Sequence, residues 1–247
     1  MSDSWAPLIT CEHAGNAVPP AYRPLFKGWE ALLASHRGFD LGALATAEAL
    51  AGALGAPLCV TPLTRLLADA NRSQGHPRLY SEITRPLPVK TRREIFEACY
   101  RPHREAVTAR VAALAATGRR VLHIASHSFT PRLGGVTRHC DVGFLYDPRR
   151  AAEKAFCGRF LRELACLDGD LILRRNYPYR GATDGLATAL RRRFGEAYVG
   201  VELEVNQRFA RGSEEALSSI NDHLCEALLR VVGRKSSCLE GKTADRA

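Results

Sequence analysis

The sequence predicts an α/β fold, with a mostly parallel sheet covered by helices on both faces. Two observations carry this expectation. Short apolar runs of strand length recur at 7–11, 57–62, 120–126, 141–146, 170–174 and 197–205. Stretches with helical spacing of apolar residues separate several of them, the pattern of parallel strands joined by helical crossovers.

The first run, Leu8-Ile9-Thr10, stops abruptly on Cys11-Glu12-His13, and Gly15, Asn16 and a double proline follow. Residues 40–54, "DLGALATAEALAGAL", are rich in strong helix formers, and Asp40 stands where a capping carboxylate is expected. The run at 57–62 sets "LCVT" between prolines. Residues 64–90 are dense in turn formers and predict a long irregular loop, a type of segment that often carries function. Residues 91–117 read as one long amphipathic helix, with Ile95, Phe96, Tyr100, Val107, Val111 and Leu114 on its apolar side. After the strands "RVLHIAS" and "DVGFLY" come a helix over 149–165 and a strand over 170–174. Gly181 and Gly185 predict a tight turn before the last strand, "AYVGVELEV", and residues 214–232 form the closing helix. There is no internal repeat and no linker-like shift in composition. Residues 1–235 are therefore expected to form a single domain, with polar 236–247 as a tail.

With 247 residues, 46% of them hydrophobic, the chain can bury one sizeable core. No apolar run approaches the ~20 residues of a membrane span, and "MSDSWAPL" lacks the basic and apolar regions of a secretory signal. A cytoplasmic protein is expected. The formal net charge of +9, with arginines clustered at 174–175 and 191–193, fits a solvated basic surface or attraction of anionic substrates. Zinc-finger spacing, RNP motifs and basic heptads are missing, so nucleic acid is not an expected partner. Eight cysteines without a CxxC pair predict reduced, mostly buried thiols rather than a cysteine-only zinc site.

Ligands of open α/β sheets bind beyond the carboxyl ends of the strands. Those positions hold Glu12 and His13 after the first strand, then Ser126, His127 and Ser128 after the third. The last strand carries Glu202 and Glu204 and runs into Asn206 and Gln207. One histidine at a strand end is commonly a hydrogen-bonded structural residue. Two from different strands, with a carboxylate from a third element, form the ligand set of a zinc site with an open position. Glu202 and Glu204 are spaced by two and share one face, opposite Val201, Leu203 and Val205. That pattern fits either an edge strand with a solvated face or a site where glutamate serves as general base. "DANRS" supplies Asp69, Asn71 and Arg72, and "RRNYPYRGATDG" supplies Asn176, Arg180 and Thr183. Arginine's planar fork suits a substrate carboxylate, although surface salt bridges use it as well.

Taken in order, "CEHAGNAVP", "FDLGA", "LLADANRS", "HIASHSFTP", "DVGFLYDP", "NYPYRGATDG" and "VELEVNQ" span residues 8–207. This ordered set resembles the N-formylglutamate amidohydrolase family. The resemblance implies a three-layer α/β/α sandwich of the phosphorylase/hydrolase-like kind, related to zinc carboxypeptidases. It implies a divalent metal, zinc, and hydrolysis of N-formyl-L-glutamate to formate and L-glutamate, late in histidine degradation. By position it implies His13 and His127 as metal ligands and Glu204 as general base. Arg72 and Arg180 become the clamp for a substrate carboxylate, with Asn71 and Asn176 beside them. Carboxypeptidase-like sites often place a glutamate three residues after the first histidine, a position held here by Asn16. Asp40 is therefore the preferred third ligand, in competition with its helix-cap role, and Glu12 is the alternative. The first motif departs from the better-known members, which carry a small residue or proline before the histidine and Ser-Gly after it. This is the pattern of a side branch. A broader N-acyl amino acid deacylase, a carboxypeptidase-like hydrolase and a non-catalytic small-anion binder stand as alternatives.

Overall fold

The two longest strands, β3 (Arg120–Phe129) and β8 (Tyr198–Asn206), lie side by side and in parallel at the centre of a six-stranded sheet. The structure, a computed structural model, describes residues 5–233. β1 (Trp5–Cys11) pairs in parallel with β3 and with the edge strand β2 (Leu58–Val60). Beyond β8 the direction reverses. β6 (Val142–Leu145) runs antiparallel to β8, and β7 (Leu173–Arg175) follows β6 in parallel. The order across the sheet is β2-β1-β3-β8-β6-β7. A small hairpin, β4 (Arg132–Leu133) with β5 (Val136–Thr137), stands apart from it.

Helices cover both faces, which is why β3 is buried along almost its whole length. α2 (Ala43–Leu54), α5 (Ala151–Leu167) and α8 (Glu214–Val231) pack on one side, with Leu50, Phe156, Phe160 and Leu224 fully buried against Ile9, Ile124 and Val201. α4 (Arg101–Ala115) and α6 (Leu186–Phe194) cover the other side, where Val107, Val111, Leu186 and Leu190 meet Leu8 and Tyr198. This is the expected α/β sandwich. The short helices α1 (Glu30–Leu33) and α7 (Arg208–Arg211) trim its rim. Among the described residues, no helix is long and apolar enough to cross a membrane.

Several element boundaries differ from expectation. β3 continues to Phe129, so His127 lies within the strand rather than after it. The helix expected over 91–117 is interrupted. α3 (Val89–Ile95) leads into a wide π-helical turn, Phe96–Tyr100, before α4. Pro102, which has no amide to give to the preceding turn, sits just past this widening. α6 was hidden by its arginine triplet. Its buried Leu186, Ala187 and Leu190 face is only three residues wide, and Arg191 turns inward to Glu153 Oε1 (2.8 Å) and the carbonyl of Gly200 (3.0 Å). Segment 64–90 is irregular but packed. Leu66, Leu67, Leu79 and Ile83 form a separate apolar cluster with Phe26, Ile95 and Tyr100. The polar tail expected over 236–247 lies outside the described residues.

His123 is fully buried in the middle of β3, between the hydroxyls of Thr10 (2.8 Å from Nε2) and Tyr198 (2.5 Å from Nδ1). Burial lowers its pKa from 6.5 to about 4. Below about pH 6.5 the unfolded chain takes up a proton here that the folded chain refuses, so stability falls as pH drops towards 4. Between pH 7 and pH 5 this single group is expected to remove about 2 kcal/mol. Urea unfolding of wild type and His123→Gln at both pH values checks it. The variant should lose less stability than the wild type by roughly that amount, and parallel losses would refute the assignment.

Candidate active site

The parallel register brings the functional side chains together. Glu12 and His13 directly follow β1, and the backbone N–H of Asp40 donates to the carbonyl of His13 (3.0 Å), which docks the 35–42 segment on that turn. His127 of β3 is register partner to Glu204 of β8, so both project from one face of the sheet. Glu202 lies two residues back on the same face. The start of the 64–90 segment supplies Arg65, Asp69, Asn71 and Arg72. All of these groups except Glu12, which lies behind His127, line a cleft of about 510 Å³, a size typical of small-molecule sites.

At its floor, Asp40 Oδ2 lies 3.2 Å from His13 Nδ1 and 3.0 Å from His127 Nδ1. One ligand-type atom from each of these three buried residues falls within 4.8 Å of the others. The far nitrogen of each ring meets a second carboxylate. His13 Nε2 is 2.7 Å from Asp69 Oδ1, and His127 Nε2 is 3.1 Å from Glu12 Oε2. A ring that donates Nε2–H to a carboxylate presents the lone pair of Nδ1. The His13 ring then presents it to the space shared with Asp40, the usual support of a metal-ligating histidine. His127 Nε2 lies between Glu12 Oε2 and Asn71 Nδ2, and Glu12 Oε2 has no hydrogen-bond partner among the described residues. Further out, His103 Nε2 is 3.5 Å from Glu12 Oε1. Arg65 bridges Asp69 (2.7 Å) and Asp40 (3.3 Å). Glu204 Oε2 is buried without a hydrogen-bond partner. Two imidazole nitrogens, a carboxylate and a nearby unpartnered carboxylate are a donor set that fits a divalent transition metal.

The electrostatics follow from crowding. Burial works against ionisation of Glu12, yet His103 and His127 hold its carboxyl well below the usual range. Burial likewise opposes ionisation of Asp40 and Asp69. His13 and Arg65 hold both low, with His127 adding to the effect on Asp40. His127 is pushed well above the ordinary histidine value, because Asp40 and Glu12 outweigh its own burial. Glu204 moves the other way. Burial, with Asp40 and Glu202 adding to it, raises its pKa to about 7.

Asp40 makes no side-chain cap. α2 starts after Gly42, and the carboxylate is turned to the histidines. Asn16 donates to the carbonyl of Leu33 (3.0 Å), away from the histidines. Cys11 is buried and its thiol is pushed up by burial, which leaves it inert. Asn71 accepts from the first amide of α6 (Leu186 N, 2.8 Å), and its Nδ2 is 3.4 Å from His127 Nε2. Arg72 lines the cleft while donating to the carbonyl of Asp184 (3.2 Å). Arg180 lines it too, exposed and with no carboxylate partner among the described residues. Asn176 is not brought to the cleft. Its side-chain oxygen accepts from Tyr146 N (3.1 Å) and Gly181 N (3.0 Å), and its φ of 51° is left-handed, a conformation that asparagine tolerates. It shapes the turn that carries Arg180. Sequence reasoning named Asp69 without a role and passed over Arg65 and His103, because the meeting of an irregular loop with a face of α4 is not read from local periodicity.

The family model for N-formylglutamate amidohydrolase matches residues 6–210. The chain belongs to the N-formylglutamate amidohydrolase family. Membership makes it an amide-bond hydrolase. A gene product of Agrobacterium tumefaciens with a known crystal structure is 27% identical, with a TM-score of 0.79 over 92% of this chain and 90% of that one. The crystal structure of an N-formylglutamate amidohydrolase from Ralstonia eutropha shares the fold at 17% identity, with a TM-score of 0.69 over 92% and 93%. A comparison with curated proteins finds no match. Membership thus rests on a match over residues 6–210 rather than on one motif.

The role of Asn176 is testable. Asn176→Ala removes two backbone partners and puts a Cβ-bearing residue without a helpful side chain at positive φ. It is expected to cost about 2 kcal/mol of stability in urea unfolding. Unchanged stability with a raised KM would instead make it a substrate contact.

Proposed function

We propose that the chain is a metal-dependent amidohydrolase acting on a small acidic N-acyl amino acid, N-formyl-L-glutamate first, and releasing formate and L-glutamate. One observation supports this above the others. His13, His127 and Asp40 converge beside the unpartnered carboxylate of Glu204, at the floor of a cleft rimmed by arginines.

His13 Nδ1, His127 Nδ1 and one Asp40 oxygen would hold the metal, expected to be zinc. A metal there would polarise the acyl carbonyl and make a water easier to deprotonate. Glu204 takes the proton from that water as it attacks the acyl carbon, then passes it to the amide nitrogen as the C–N bond breaks. A carboxyl with a pKa near 7 suits this exchange, because it accepts and returns a proton near neutrality. Arg180, Arg78 and Arg85 line the cleft, and none has a carboxylate partner among the described residues. They are the free cations that would orient the substrate's carboxylates, and the net charge of +9 favours anion approach.

Two predictions follow from this chemistry. Zinc-loaded protein should release formate from N-formyl-L-glutamate, lose the activity on chelation and regain it with zinc. Glu204→Gln should lower kcat by roughly 10²–10⁴-fold at unchanged zinc content. The base form of Glu204 is the active one, so kcat/KM should fall as pH drops below about 7, and a bound cation would move this acid limb lower. Failure of the zinc-loaded protein to hydrolyse any of a panel of N-formyl and N-acetyl amino acids would overturn the proposal. The second concerns the backing carboxylates. Glu12→Gln and Asp69→Asn should each weaken zinc binding by about 10–100-fold in competition with a chromophoric chelator. Equal affinity in wild type and variants would show that these carboxylates do not orient the rings.

A further inference from the structure

The mechanism uses Glu204 but leaves Glu202, its neighbour on the same face of β8, without a task. Glu202 sits on the cleft wall, and neither of its oxygens has a hydrogen-bond or ion-pair partner among the described residues. Its position is specific. A Cβ built on Gly185 would lie 3.2 Å from Glu202 Oε1 and 3.1 Å from Asn71 Oδ1, so the start of α6 packs tightly against both side chains. Glu202 is half-buried and faces the cleft, so an incoming donor can replace water at its carboxylate without displacing a protein partner. Burial pushes Glu202 up from the ordinary carboxylate value. A second group points to an incoming ligand. Glu204, only 5% exposed, aims the unpartnered Oε2 into the same cleft. The nearby arginines do not supply the donor, since Arg72 is engaged with Asp184 and Arg191 with Glu153 and two carbonyls.

We propose that Glu202 is the nitrogen subsite of the cleft: it accepts the N–H of the scissile amide and then holds the ammonium group of the amino acid product. The inference rests on the amidohydrolase reading above and adds to it the residue that recognises the leaving group. The proton count shows why a second carboxylate is useful. The amide nitrogen carries one hydrogen, whereas the product ammonium carries three. Both extra protons come from the attacking water, whose oxygen ends in the carboxylate product. Glu204 carries protons across, but the nitrogen gains a full positive charge only after C–N cleavage. A carboxylate beside the nitrogen therefore binds more strongly as the reaction proceeds, the condition for an interaction to accelerate it. The cleft sorts charge accordingly, with carboxylates at the floor for nitrogen and unpaired arginines at the rim for the substrate's own carboxylates.

The test compares L-glutamate with glutarate, the same dicarboxylate without the ammonium group, by calorimetry on zinc-loaded wild type and Glu202→Gln. Wild type should bind glutamate about tenfold or more tightly than glutarate, and the variant should bind the two about equally. A preference retained in the variant would overturn the assignment of Glu202 and leave the substrate class standing. Binding of neither ligand by wild type would overturn the acidic substrate class and this inference with it. Thermal unfolding guards against a purely structural effect. Because Glu202 has no protein donor, Glu202→Gln should melt above wild type. A lower melting temperature would mean that the carboxylate holds the fold, and would overturn the proposal.

Discussion

Uncompensated negative charge is the constraint on which this site depends. Glu12, Asp40, Asp69, Glu202 and Glu204 crowd one end of the sheet, and the cation bridging two of them directly is Arg65. Buried carboxylates are tolerated only when paired, hydrogen-bonded or neutralised. The molecule uses each of these routes. Arg65 pairs Asp40 with Asp69, the imidazoles of His13 and His127 share what remains, and Glu204 retreats to a pKa near 7. The same charge that raises His127 is what would draw a divalent cation to the Nδ1 atoms. Proton affinity and metal affinity at this point are two expressions of one field.

The fold earns this concentration by register. β1, β3 and β8 run in parallel, so their carboxyl ends meet at one rim and deliver Glu12, His127 and Glu204 to one face. The reversal at β6 serves the opposite wall. Gly143 of β6 is register partner to Glu204, and a Cβ there would lie 2.0 Å from the carbonyl oxygen of Tyr177. Glycine thus lets the 176–181 turn lie directly across β6. Gly181 permits the other end, where a Cβ would be 2.1 Å from Tyr146 N. Asn176 ties the turn to the same strand, and Tyr179 and Arg180 are left facing the cleft. An arginine on a clamped turn is a better anion contact than one on a free loop, because less side-chain and backbone entropy is lost on binding.

That His13, His127 and Glu204 meet at one rim was legible from position: two expected strand ends and an alternating pair, although β3 runs on past His127. Asp40 was ambiguous for a physical reason. Asp before an Ala-rich run is also the signal of a helix cap, and only the fold shows that Gly42 takes the boundary while the carboxylate turns inward. The resemblance sets Asn176 beside the carboxylate clamp by position, whereas in the fold its side chain and left-handed backbone shape the turn that carries Arg180. Arg65, Asp69 and His103 belong to a loop and to a helix face whose meeting is set by tertiary packing, which no local pattern encodes. The mostly parallel character of the sheet was legible, but not its strand order. The reversal at β6 was not, since one short apolar strand reads the same in either direction.

The arginines gain meaning only when sorted by partner. Arg191, which looked like part of a surface basic cluster, is buried and spends its donors on Glu153 and on carbonyls of Gly181 and Gly200. Arg65 belongs to the floor. Arg78, Arg85 and Arg180 remain at the rim without a carboxylate. The overall basic charge is therefore divided, and the part of it that faces the cleft stands opposite an acidic floor. An anion entering this cleft is attracted at the mouth and repelled at the bottom, so it comes to rest with its carboxylates outward. A neutral amide linked to those carboxylates can pass further, and it is the one part of such a molecule that the floor does not repel. Under the proposed function, this division of charge would favour entry of an acidic N-acyl amino acid with its scissile bond towards the histidines. It would also disfavour the reverse pose, in which a carboxylate would occupy the place that the proposed mechanism gives to the water.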